Sequence, residues 1–127
     1  MRTPLPGKRV RGSQTGRPIL ALLDLLGRRW ILRVIWELRA ESLGFRSLQQ
    51  KCGRMSASVL SQRLRDLARA GVAETDECGD YRLTPAGREL LSALMPLHGW
   101  AEGWARAVAK NPPPADYSSP KRRSARR

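Results

Sequence analysis

From Pro18 onward, apolar and polar positions alternate in patterns that mark one element off from the next. Leu20, Leu22, Leu23, Leu25 and Leu26 leave little polar surface, predicting a helix buried on nearly all sides, in part by a second subunit. Pro18 suits its first turn, where a missing N–H costs nothing, and Gly27 ends it. Trp30, Ile31, Val34, Ile35 and Leu38 recur at helical spacing and predict a second helix ending near Ala40. Leu43-Gly44-Phe45 reads as a short extended piece. Ser47 and Gln50 have capping-box spacing, so a short helix is expected to open at Ser47 and close at Gly53. Ser56 caps the next helix, in which Ala57, Leu60, Leu64 and Leu67 form an apolar stripe. At 100° per residue, Ser58, Gln62, Arg65 and Arg69 point the other way. Gly71 suits the left-handed position after the helix end.

Val72 to Asp76 and Tyr81 to Leu83 flank Glu77-Cys78-Gly79-Asp80, the pattern of a hairpin with a tight tip. Thr84-Pro85 starts a last helix through Leu90, Leu91, Leu94, Leu97, Trp100, Trp104 and Val108, with a kink or a break expected at Pro96. The fold class is mainly α with a small β-hairpin. Its element order is that of a winged helix-turn-helix, with extra N- and C-terminal helices suited to dimerisation. Trp100 and Trp104, four residues apart on a face with little charge, read as a dimer seam.

Charge divides the chain into three parts. Of a net +13, the two ends contribute +9: residues 1–17 hold Arg2, Lys8, Arg9, Arg11 and Arg17, and residues 111–127 hold five bases against Asp116. A flexible basic arm (1–17) and a Pro/Arg-rich basic tail (111–127) are therefore expected around a domain at 18–110. Such an excess favours a polyanionic partner bound with counterion release. Cys52 and Cys78 make no zinc framework, and two free thiols fit a reducing compartment. Cys52 reads as buried and Cys78 as more exposed. No apolar run approaches the roughly 18 residues of a membrane span. Ile19 to Leu26 resembles a signal segment but lacks a cleavage site, so a cytoplasmic, nucleoid-associated protein is expected. His98 is the single histidine, with no nucleophile or carboxylate set beside it, which argues against an enzyme. No cofactor or metal is implied.

Four stretches resemble the HxlR family of bacterial transcription regulators, a winged-helix group related to MarR. They are Leu23 to Trp30, Met55 to Leu67, Leu83 to Leu90, and Leu97 to Trp104 with its twin tryptophans. Together they span roughly residues 18–108 in the right order. The resemblance implies a homodimer, assembled through the first and last helices and bound to a pseudo-palindromic DNA operator. It also implies local repression or activation of neighbouring genes. Some members sense oxidants through a cysteine just before the proline of the first helix. Here that position is Arg17, so the signal is left unassigned. The hairpin is shorter than is usual in the family, and Glu74, Asp76, Glu77 and Asp80 make it acidic.

A helix fits the major groove with polar side chains near its N-terminus reaching base edges. Ser58, Ser61, Gln62 and Arg65 are the candidates for base readout; Arg46, Lys51, Arg54, Ser56 and Arg69 are those for the phosphate backbone. Leu22, Leu25, Leu97, Trp100 and Trp104 are expected at the dimer interface. Two other classes fit parts of the pattern: a non-specific nucleoid-associated or RNA-binding protein driven by the basic ends, and a protein–protein adaptor on a winged-helix scaffold.

Overall fold

A computed structural model describes residues 3–7 and 17–114. The elements run α1 (Pro18–Leu26), α2 (Ile31–Glu37), α3 (Phe45–Lys51), α4 (Ala57–Arg69), β1 (Ala73–Thr75), β2 (Tyr81–Leu83) and α5 (Pro85–Lys110). This is a winged helix-turn-helix. The chain divides into two units, Met1–Ala93 and Leu94–Arg127, with the boundary inside α5. Most of the expected arm and tail lies outside the described residues. The exceptions are residues 3–7, where Thr3 and Pro4 are buried, Arg17, which is exposed, and residues 111–114.

The core of the first unit joins one side of every element. Leu25 of α1, Ile31, Val34 and Ile35 of α2, Leu48 of α3, and Leu60, Leu64 and Leu67 of α4 pack with Val72, Ala73 and Leu83 of the hairpin. Each buried leucine, isoleucine or valine among them stabilises the fold by about 1.5–3 kcal/mol. Ala57, read as part of the α4 stripe, is exposed.

The start and stop of α4 follow from local chemistry. Ser56 has an extended backbone, and its Oγ accepts from the Val59 amide at 3.2 Å. At the other end, Gly71 takes φ +75°, which glycine adopts without steric cost. The Gly71 and Val72 amides then donate back to the carbonyls of Ala68 and Leu67, satisfying the last turn.

Two expected boundaries differ. α3 opens at Phe45, not Ser47, with Gly44 as the capping residue and no side-chain cap. Leu43 and Tyr81 exchange two backbone hydrogen bonds of 2.9 and 2.8 Å, pinning the chain to the hairpin, and the helix begins directly after that clamp. Pro96 does not break the last helix in two: α5 is helical from Pro85 to Lys110. One proline removes one N–H donor, and the helical leucine pattern continues on both sides of it.

β1 and β2 pair antiparallel in the register Ala73↔Leu83, Glu74↔Arg82, Thr75↔Tyr81. The tip is held by Asp76, whose Oδ1 accepts from the amides of Cys78 (2.9 Å) and Asp80 (3.0 Å). Glu74 pairs with Arg82 across the strands at 2.9 Å. Two of the four wing carboxylates thus have structural partners. Among the described residues no helix is long and apolar enough to cross a membrane.

Thr84 joins the end of α4 to the start of α5. Its hydroxyl donates to the Gly71 carbonyl at 2.6 Å and accepts from the Gly87 amide at 3.0 Å. The Val72 carbonyl consequently lies against the first turn of α5, where a Cβ on Gly87 would collide with it. Gly87→Ala is expected to cost about 1–3 kcal/mol by forcing backbone apart. Gly99→Ala, where a Cβ meets nothing within 4 Å, is expected to raise stability slightly. Denaturant unfolding of the two variants checks the contrast. In the same assay Ser56→Ala is expected to lose about 1 kcal/mol through the missing cap.

Candidate nucleic-acid interface

The turn that presents α4 is built from its interior. Gly53 takes φ +81°, Met55 is buried, and Gln49 Nε2 donates to the Met55 carbonyl at 3.2 Å. With Leu60, Leu64 and Leu67 turned inward, the opposite face of α4 is fixed outward.

On that face Ser58 and Arg65 are exposed, and Ser61 is half-buried. Arg65 Nη2 donates to Ser61 Oγ at 3.3 Å, so these two candidate readers meet one turn apart. Ser58 Oγ lies 3.4 Å from the capping Ser56 Oγ. Gln62, the fourth candidate, stands at the edge of the face. Its Nε2 donates inward to Asp66 Oδ1 at 3.3 Å.

Asp66 is the residue that sequence periodicity misses. It is fully buried, and its carboxylate gathers four side chains. Thr3 Oγ1 (2.8 Å) and Gln62 donate to Oδ1; Arg28 Nη1 (3.2 Å) and Arg63 Nη1 (3.1 Å) donate to Oδ2. A signal for it exists: Asp66 is the single acid in α4 and sits between the core residues Leu64 and Leu67. Its partners at positions 3 and 28 carry no local signal.

The expected backbone contacts lie on exposed ground. Arg46 and Lys51 of α3, Arg54 in the turn, Ser56 and Arg69 are all exposed. Lys51 Nζ is 3.7 Å from Glu41, and the Lys51 carbonyl accepts from Arg33 Nη2 at 2.8 Å.

The expected interface residues divide. Leu97, Trp100 and Trp104 are exposed by 62%, 63% and 57%, with the two indoles stacked at 5.8 Å and 12°. Leu22 is half-buried, and Leu25 is committed to the chain's own core at 3% exposure. The exposed apolar residues of α1 are Ile19 and Leu23, four apart. An all-apolar helix offers no polar face against which to tell outward from inward, so periodicity could not choose them.

Cys52 is buried and Cys78 exposed, as expected. Burial pushes the Cys52 thiol pKa up, Glu37 pushes the same way and Arg33 opposes them. That holds Cys52 as the less reactive thiol form.

The model of the HxlR-like helix-turn-helix family matches residues 25–109. An uncharacterized HTH-type transcriptional regulator of Bacillus subtilis, YvaP, is 30% identical over 88 residues, covering 65% of this chain and 82% of that protein. The uncharacterized HTH-type transcriptional regulator Rv3095 of Mycobacterium tuberculosis is 33% identical over 100 residues, covering 74% of this chain but only 60% of the mycobacterial protein. Among solved structures, quinone-bound YodB of Bacillus subtilis superposes with a TM-score of 0.64 at 25% identity, covering 67% of this chain and 96% of YodB. A possible HxlR family factor of Thermoplasma volcanium gives 0.59 at 27%, covering 67% and 82% of the two chains. With four helices and a hairpin arranged to present α4, and a family match over most of the described residues, the chain belongs to the HxlR-like helix-turn-helix family and is a DNA-binding transcriptional regulator.

Proposed function

We propose that the protein is a sequence-specific homodimer that lays α4 in the major groove of each half of a pseudo-palindromic operator near the genes it regulates. The observation that carries this is the outward face of α4. A capped helix held by three buried leucines offers Ser58, Ser61 and Arg65 to a groove that admits one helix. Arg65 suits guanine, which accepts two hydrogen bonds from a guanidinium. Gln62 suits adenine, but its amide reaches a base only by exchanging the bond to Asp66. Arg46, Lys51, Arg54, Ser56 and Arg69 hold phosphates and set the register without specifying bases. The basic ends add affinity that falls with salt, and place the protein at the nucleoid.

Dimerisation rests on exposed apolar residues that a lone chain leaves in water: Ile19 and Leu23 on α1, with Leu22 at their edge, and Leu97, Trp100 and Trp104 on α5. Leu25 supports α1 from the core side.

Arg65→Ala is expected to lose about 1–3 kcal/mol of affinity for a duplex the wild type prefers and to relax one base position. Affinity for random duplex should change far less. Fluorescence titration at fixed salt checks this. Unchanged affinity for the preferred duplex removes Arg65 from the readers, and equal wild-type affinity for both duplexes favours the non-specific nucleoid reading.

A further inference from the structure

Gln62 has two incompatible tasks. Reading adenine takes its whole amide, with Nε2 donating to N7 and Oε1 accepting from N6. Yet Nε2 is held by Asp66 Oδ1, an atom buried with the rest of that side chain. A buried carboxylate oxygen that loses its donor is costly, so Gln62 can turn away only if another donor remains. One does: Thr3 Oγ1, itself 8% exposed and 63 residues away in sequence, donates to the same Oδ1 at 2.8 Å, the shorter of the two bonds. Arg28 and Arg63 meanwhile keep Oδ2 satisfied, at 3.2 and 3.1 Å.

We infer that Thr3 is a positioning residue for DNA recognition: its hydroxyl keeps Asp66 satisfied while Gln62 turns from the carboxylate to a base. This rests on the proposed reading of DNA by α4. The N-terminal segment then acts on specificity through Asp66 without touching the bases. Without the hydroxyl, Gln62 is the one donor left to Oδ1 among the described residues, and it stays inward.

The test is a double-mutant cycle on the full chain. It reads affinity for the duplex that the wild type enriches from a random pool, relative to an unselected duplex of equal length. Gln62→Ala is expected to lower that preference about tenfold, the value of one good bidentate base contact. Thr3→Val should lower it by a similar factor, and the double variant no further than either. Thr3→Ser, which keeps the hydroxyl, should retain the wild-type preference. In the wild-type protein the Gln62 side-chain amide NMR signal should shift when the enriched duplex is added. That measurement can overturn the inference even if Thr3→Val does not fold. An unmoved amide signal, additive losses, unchanged preference in Thr3→Val or Gln62→Ala, or a Thr3→Ser as defective as Thr3→Val overturns the inference while leaving base reading by α4 standing. Absence of any preference in the wild type overturns instead the reading beneath it.

Discussion

A carboxylate with no solvent exposure has to be matched by donors, and Asp66 draws its donors from three places in the first unit. Removing such a group from water costs several kcal/mol unless charge and hydrogen bonds replace the lost hydration. Here two guanidiniums face Oδ2 while a hydroxyl and an amide face Oδ1. The arrangement ties the turn between α1 and α2 to the inner side of α4. Arg63 depends on it in turn: its Nη1 bonds Asp66 Oδ2, while its Nε is the one buried side-chain polar atom without a partner among the described residues. Leucines alone tolerate small rotations of a helix. The directed bonds from Thr3 and Arg28 to Asp66 add to the leucines' hold on the direction in which Ser58, Ser61 and Arg65 face.

The remaining contacts extend that constraint along the chain. The Thr84 hydroxyl, bonded to Gly71 and Gly87, couples the last turn of α4 to the first turn of α5, and Gly87 is small because the Val72 carbonyl occupies the space beside it. The wing spends Asp76 on its own tip and pairs Glu74 with Arg82, so part of its acidity has a structural role in the hairpin. In the proposed function, electrostatic affinity falls to the basic ends and specificity to one helix face.

Much of this was legible in the sequence wherever the cause is local. Ser56, Gly71, Thr84-Pro85 and the alternation around Gly79 mark element ends because caps and turns depend on residues within a few positions. The start of α3 was not, because the Leu43–Tyr81 clamp joins residues 38 apart. The break that Pro96 allows does not occur, since a local rule for breaking helices competes with a long helical pattern on both sides. Asp66 stands among the core leucines of α4 in sequence, but the donors that satisfy it from Thr3 and Arg28 are ones that no periodicity connects to it. For the same reason the outward residues of α1 could not be told from the inward Leu25.

Dimethyl sulfate interference on a duplex enriched by the wild-type protein tests the central claim most directly, because it methylates guanine N7 in the major groove and adenine N3 in the minor groove in one reaction. If α4 of each protomer reads the major groove, guanine methylation should block binding in two clusters on one face of the DNA, separated by about 10–10.5 base pairs or a multiple. Interference confined to adenines, or spread evenly along the duplex, would contradict it.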